Sequence, residues 1–322
     1  MKVFLHSANP AYSGSGLLAH AINKHCCEIL ASFNKKDTEE FYKYIPQASF
    51  GNEKVLKQQF KKADKCIICS GKAIKKLVTN NIVTIGQLKD KDVTVILTDS
   101  VYCREYKQIN EILNKIGAKV MAMYDIFPYC HKLKPIPYLP PTICETVPLR
   151  ERKSNKTVIC HSPFAKYSRN AKGSKQIDLI VDKLSKEYDI DYKLVIDCSR
   201  TETLEIKNNS DIFIDQLVLG NNKIPCLWGE IKYEGALGKS GCEGMILNTM
   251  VVSGCQPVIT EPYFENPPAV FTNYVGFEKV IIKHLKNVDK RKEVIAKQIR
   301  WANKYLDLEF IANHVLSSES IT

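Results

Sequence analysis

Three groups of residues in this chain carry side chains suited to chemistry. The first is His161-Ser162-Pro163 with Arg169 and Lys172-Gly173-Ser174. It follows an apolar run at 157–160 and precedes a helical pattern at 174–186, so the spacing predicts a strand end, a loop and a helix start. Two cations beside the N-terminal amides of a helix suit a diphosphate. The plain alternative is an ordinary strand-to-helix connection with exposed bases. The second group runs from Gly235 to Met245 through Gly238-Lys239-Ser240-Gly241 and Glu243. Its glycines let a ligand approach the backbone, its amides open a helix predicted over 241–247, and Glu243 on that helix can accept both hydroxyls of a ribose. Gly238-Lys239-Ser240 echoes the end of a P-loop, but Tyr233 stands where that pattern needs its first glycine, so a Walker site is excluded. The third group is a run of lysines: Lys54, Lys57, Lys61, Lys62, Lys65, Lys72, Lys75 and Lys76.

Isolated candidates complete the set. His6 and Asp99 follow predicted strands and are candidate catalytic groups, with a buried histidine and a helix N-cap as their plain readings. Gly14-Ser15-Gly16 forms a Gly-rich turn after the first strand, placed to approach a phosphate. Asp197 and Gln216, at the ends of later strands, are candidates for a ribose or base beside His161, Ser162 and Pro163. Cys66-x-x-Cys69 resembles half a zinc site, but Ile67 and Ile68 sit between the thiols in a strand-like run and no second C-x-x-C or H-x-x-x-H is present to complete four ligands. Buried strand cysteines are the better reading, and the cysteines read as reduced thiols. No D-x-D motif of the kind that holds a divalent ion on a diphosphate is found, and no metal is expected.

The elements that must position these residues alternate. Apolar runs of strand length lie at 3–7, 66–70, 93–98 and 120–124, with helical patterns at 17–33 and 106–116 between them. Prolines 128, 135, 137, 140, 141 and 148 and the charged stretch 150–156 then mark a linker. The alternation restarts with strands at 157–160, 192–197, 212–216 and 250–253 and helices at 174–186, 241–247, 289–305 and 308–316. Strands alternating with helices imply parallel sheets. The expectation is two Rossmann-like, doubly wound α/β domains, residues 1–148 and 149–322, facing a central cleft that would hold the ligand. The length of 322 residues fits two domains.

The chain carries a net charge of +11. Residues 1–150 hold 22 Lys and Arg against 13 Asp and Glu, the remainder 24 against 22. The excess therefore sits in the first half, where it suits a polyanion, either nucleic acid or an anionic membrane face. The plain reading is a solvated helix face. No apolar run is long enough to span a bilayer and the first residues do not read as a signal peptide, which leads to the expectation of a cytoplasmic protein.

The second half resembles the nucleotide-sugar-binding domain of GT-B-fold glycosyltransferases, the large retaining family of glycogen and sucrose synthase relatives. The resemblance rests on His161-Ser162-Pro163, Arg169 and Lys172-Gly173-Ser174, on Asp211-Ile212-Phe213-Ile214-Asp215-Gln216-Leu217, and on Gly235 through Val251, which matches the family's Gly-rich loop and E-A-M-A helix without a gap. It implies that Arg169 and Lys172 hold the donor diphosphate with Gly14, Ser15, Gly16 and Gly238 to Gly241, that Glu243 holds the ribose, and that the last helix, about 302–318, packs back on the first domain. The chain departs from the pattern at Gly235, where the family carries an acid, at Asn248 and Met250, and in the longer stretch 221–234 with Trp228 and Tyr233. The function implied is transfer of a sugar from a nucleotide-diphosphate donor, UDP-linked, to an acceptor hydroxyl, with retention and without a tightly bound cofactor. Lys54, Lys57, Lys61 and Lys62 point to an anionic acceptor such as modified DNA, as virus-encoded DNA glycosyltransferases use. The alternatives are a surface or lipid-linked glycan, a sugar-nucleotide epimerase, and a degenerate module that binds nucleic acid or a partner.

Overall fold

The computed structural model describes residues 1–7, 15–24, 28–33, 49–50, 52–97, 101–123, 133–137, 156–164, 172–217, 222–226, 229–233, 237–255, 257 and 259–317. Two compact units emerge. Unit 1 comprises Met1–Pro141, Ile224–Ile231 and Leu306–Thr322, and unit 2 comprises Thr142–Lys223 and Lys232–Tyr305.

Unit 1 is built on a seven-stranded sheet. Its strands are β1 (Lys2–Ser7), β2 (Glu28–Phe33), β3 (Ser49–Phe50), β4 (Lys65–Cys69), β5 (Asp92–Leu97), β6 (Lys119–Met123) and β7 (Lys134–Ile136). They run in the order β3-β2-β1-β4-β5-β6-β7 and every pairing is parallel. Strands covered on both faces read as continuous apolar runs rather than alternating ones. Accordingly Val3 to Ser7 and Lys65 to Cys69 are all buried. Helices α1 (Ser15–Lys24), α2 (Glu53–Lys62), α3 (Gly71–Thr79), α4 (Ile85–Lys89) and α5 (Val101–Ile116) connect them. The helical pattern expected over 17–33 ends at Lys24, because Glu28–Phe33 pairs in parallel with β1. A free edge of β1 outweighs the weak helical preference of that segment.

Unit 2 carries a five-stranded parallel sheet: β8 (Thr157–Phe164), β9 (Ile190–Ile196), β10 (Ile212–Leu217), β13 (Met250–Gly254) and β14 (Val270–Phe271), in the order β14-β13-β10-β8-β9. Strands β11 (Asn222–Cys226) and β12 (Gly229–Tyr233) pair separately and account for the long stretch 221–234; Trp228 lies outside the described residues. The helices are α6 (Ser174–Leu184), α7 (Arg200–Asn208), α8 (Lys239–Ile246), α9 (Tyr274–Lys286) and α10 (Val288–Tyr305). Ile159, Ile177, Val181, Ile212, Ile214, Val252, Phe277 and Ile281 join β8, β10 and β13 to α6 and α9 in one core. In chain order the five sheet strands lie 2-1-3-4-5, with the connections reversing between β8 and β10. Ligands of open parallel sheets bind at that reversal, outside the carboxyl ends of the strands.

The last helix, α11 (Leu308–Leu316), begins at Asp307, whose side chain accepts the Phe310 amide. It packs on α1 and β7 within unit 1. His314 Nε2 donates to the Pro135 carbonyl at 2.7 Å, Lys134 Nζ donates to the His314 carbonyl at 3.1 Å, and Lys65 Nζ donates to the Leu316 carbonyl at 3.3 Å. Lysines thus satisfy the last carbonyls of the helix, where its dipole favours cations. Among the described residues no helix is long and apolar enough to cross a membrane.

Candidate functional site

β8 extends to Phe164, so His161, Ser162 and Pro163 are strand residues rather than the loop expected after residue 160. The ladder with β9 shifts register between His161 and Phe164, an irregularity that accommodates Pro163, which has no amide to give the sheet. His161 is fully buried. Its Nδ1 bonds the Ile214 carbonyl and its Nε2 meets Ser174 Oγ, both at 2.8 Å. Burial pushes its pKa down to about 4, so the ring is neutral. Nδ1–H therefore donates to the carbonyl and Nε2 accepts from Ser174. Both nitrogens are spent within the chain, which corrects the expectation of a direct ligand contact: His161 pins the start of α6 to β10.

Gly173 is required at the turn that follows. Its φ is +68°, and a Cβ there would lie 1.8 Å from the Leu217 carbonyl oxygen. Its neighbour Lys172 accepts the Leu217 amide on its own carbonyl at 2.9 Å. This fixes the Lys172 side chain at the end of β10, where Nζ donates to Gln216 Oε1 at 3.3 Å and lies 3.6 Å from Asp215 Oδ1. Asp215, which the motif over 211–217 contains without a role of its own, is a hub. Its Oδ2 accepts the Gly238 amide at 3.0 Å and the Ser253 hydroxyl at 3.2 Å. A Cβ at Gly238 would lie 3.1 Å from Lys172 Nζ, and one at Gly241 would lie 2.6 Å from Leu237 Cδ1. The start of α8 can seat this closely on Lys172 and Asp215 because those two residues are glycine.

α8 begins at Lys239, two residues before the expected start, which puts Lys239, Ser240 and Gly241 in its first turn. Both α6 and α8 are capped by glycines, Gly173 and Gly238, with no side-chain cap. By contrast α2, α3, α7, α9 and α11 are each capped by a polar side chain. Two uncapped helix starts therefore meet beside Lys172 at the topological reversal, and their amides and dipoles favour an anion.

Glu243, one turn into α8, is 4% exposed. Its Oε1 accepts Arg200 Nη2 at 2.9 Å and its Oε2 accepts Lys207 Nζ at 2.8 Å. Burial raises its pKa, but Lys207, Arg200 and Lys239 outweigh burial and bring it down to about 2. Burial lowers the Lys239 pKa to about 8, with Arg200 and Lys207 acting in the same direction against Glu243. A carboxylate oxygen accepts two hydrogen bonds, so each oxygen of Glu243 retains capacity beyond its cation. Arg200 and Lys207 were not singled out from sequence. Their signal was available: they are seven residues apart on α7, and so on one face, behind the Ser199 cap.

Asp197, at the end of β9, is exposed with φ +55° and turns the chain into α7. Gln216 is buried and meets Lys172 as described. In unit 1, His6 is 1% exposed and its ring stacks on Phe4 at a centroid distance of 6.1 Å. This side chain lies in the core beneath the strand end, which corrects its expectation as a catalytic group. Lys54, Lys57, Lys61 and Lys62 are exposed on α2, opposite buried Leu56 and Phe60. Gly16 is buried in the first turn of α1, which starts at Ser15, rather than in a loop. Gly14, Asp99 and Arg169 lie outside the described residues. Cys66 and Cys69 are buried free thiols of β4, each pushed by burial to about 12. Among the described residues no cluster of His, Cys, Asp and Glu has the geometry to hold a metal.

No protein-family model matches the chain, and no curated protein matches it in sequence. Solved structures do match. Anabaena HepE, in complex with UDP and glucose, aligns with a TM-score of 0.60 at 11% identity over 98% of both chains. Sucrose-phosphate synthase from Thermosynechococcus elongatus aligns with a TM-score of 0.57 at 9% identity over 97% of this chain and 96% of that one. A putative UDP-N-acetylglucosamine 2-epimerase from Listeria monocytogenes aligns with a TM-score of 0.55 at 8% identity, over 97% and 94%. With two parallel-sheet α/β units and matches spanning nearly the whole chain, this protein has the GT-B fold.

Proposed function

We propose that the protein binds a nucleoside-diphosphate sugar, UDP-linked, at the carboxyl ends of β8 and β10 and transfers the sugar to an acceptor hydroxyl. The observation that carries this reading is the meeting of Lys172 with two glycine-capped helix starts at the sheet's topological reversal. The diphosphate is the leaving group of such a transfer. Negative charge grows on it as the glycosidic bond breaks, and cations and amides fixed in advance stabilise that charge. Lys172, the amides of Lys239 and Ser240, and Arg169 take this role. Glu243 takes the ribose hydroxyls, which are donors, on lone pairs that Arg200 and Lys207 leave open. Retention of configuration follows the resemblance of 235–251 to retaining enzymes. The UDP complex of HepE supports the choice of base.

The exposed lysines of α2 favour an anionic acceptor; DNA and a lipid-linked glycan at an anionic membrane are the two candidates. The match to an epimerase favours a second reading, rearrangement of the sugar on the nucleotide itself. Thermal unfolding in the presence of a panel of nucleotides and nucleotide sugars, with and without duplex DNA, tests the proposal. A ligand that binds only the folded state raises the midpoint, so selective stabilisation by UDP or a UDP-sugar is expected. A flat response to every nucleotide, with a shift from DNA alone, refutes the proposal in favour of a binding module. Conversion of the nucleotide sugar without any acceptor identifies the epimerase.

A further inference from the structure

A buried lysine is costly unless its ammonium is paired and hydrogen-bonded. Lys207 is 1% exposed and its Nζ lies 4.7 Å from the centroid of the Phe213 ring. It donates to Glu243 Oε2 at 2.8 Å and to Ser240 Oγ at 2.6 Å. Both acceptors belong to α8, one in its first turn and one in the next, so a single ammonium ties the start of that helix to its carboxylate. Arg200 reaches the other oxygen of Glu243 from a position 27% exposed. The sealed cation and the open one thus divide the carboxylate between them.

We propose that Lys207 is a positioning residue of the nucleotide site, holding the Glu243 carboxylate ionised and oriented toward a ribose diol while locking the first turn of α8. This rests on the reading that Glu243 meets the ribose. Lys207 touches no ligand in this arrangement; it acts through Glu243. The charged groups around the carboxylate are Arg200 and Lys207 on α7 and Lys239 on α8. Asp215 of β10 sits beneath Gly238 and Gly241, and Asp211, just before that strand, is paired with Arg291 of α10 at 3.3 Å. β13 contributes no charge, and Gln298 of α10, which bonds the Val251 backbone, is neutral. Lys207 heads the influences that overcome burial and keep the Glu243 carboxyl far below the carboxylate range. Without it, only Arg200 and Lys239 oppose the effect of burial, and the protonation of that carboxyl moves up towards mild acid.

The test is calorimetric titration with UDP-glucose across about pH 5 to pH 7, a window below the titration of Lys239 in which the probe's phosphodiester groups do not titrate and an unperturbed Glu stays mostly ionised. Wild type is expected to bind with flat affinity. Lys207→Met is expected to bind at least about threefold more weakly at the acid end relative to wild type, as Glu243 takes up a proton. Lys207→Arg restores the flat profile. A flat profile in Lys207→Met overturns the proposal, because a lysine that merely packs would leave the pH dependence unchanged. Should Lys207→Met fail to fold, the pair Glu243→Gln and Lys207→Met/Glu243→Gln decides. Equal UDP-glucose affinity in those two variants supports action through Glu243, and a further loss in the double variant refutes it. Wild type that binds no UDP-glucose overturns the functional reading itself, a result distinct from either.

Discussion

Gly173→Ala adds one methyl group at the point where the site is tied together. The new Cβ would stand 1.8 Å from the Leu217 carbonyl oxygen, where ordinary contact begins at 3.4 Å. The two segments must therefore part by roughly 1.6 Å. That movement breaks the 2.9 Å bond from the Leu217 amide to the Lys172 carbonyl. An L-residue in the left-handed region costs about 1–2 kcal/mol, and a buried backbone hydrogen bond left unmade costs about 1–3 kcal/mol. The sum is about 2–5 kcal/mol. Because Lys172 and the α6 start move with the turn, UDP-glucose affinity falls as well, by about tenfold or more if the charge-assisted contact of Lys172 is lost. Gly117→Ala is the control: its φ is +65° but nothing lies within 4 Å of the added methyl. It bears the conformational cost alone, about 1–2 kcal/mol, and leaves nucleotide affinity unchanged. Urea midpoints and calorimetry on both variants provide the comparison. A Gly173→Ala protein with the stability and affinity of Gly117→Ala would refute the close approach on which the site geometry depends.

Other outcomes follow from the same geometry. Lys172→Ala should weaken UDP-glucose binding by about tenfold to a hundredfold, the worth of one charge-assisted contact, while the unfolding free energy from urea titration stays within about 1 kcal/mol of wild type; unchanged affinity would remove Lys172 from the site. Neutralising Lys54, Lys57, Lys61 and Lys62 together should lower retention on a polyanion and flatten its salt dependence without altering nucleotide affinity, and equal loss of both would indicate misfolding. His161 and His314 are each depressed by burial to about 4 from 6.5. The unfolded chain protonates these rings first, so stability should be full above about pH 6.5 and fall as pH drops towards 4, by up to about 3 kcal/mol per ring. Urea midpoints across that range, with His314→Gln losing its share of the slope, check the sign.

The architecture was readable because both sheets are covered on two faces. Runs such as Val3–Leu5 and Cys66–Cys69 are apolar at every position, a pattern that belongs to buried parallel strands. The positions of Lys172 and Glu243 were readable for a related reason: a strand end followed by glycines and a helix start is local information. What escaped was decided by partners distant in the chain. Glu28–Phe33 becomes a strand because β1 offers it an edge. Pro163 suggested a loop, yet it sits in β8 at a register shift that needs no amide. Glycine-rich 238–241 disguised a helix start, since glycine disfavours helix and Gly238 brings no capping side chain. The Arg200–Glu243–Lys207 cluster joins residues up to 43 positions apart, and the Asp215 hub joins β10 to β13 and to α8. Such contacts exist only after the sheet has assembled, and no spacing within one element announces them.

The most direct test of the central claim is the crystal structure of the protein with UDP-glucose bound. The diphosphate is expected within hydrogen-bonding distance of Lys172 Nζ and the first amides of α8, with the ribose hydroxyls on Glu243. A nucleotide bound elsewhere, with Lys172 still held only by Asp215 and Gln216, would contradict that claim.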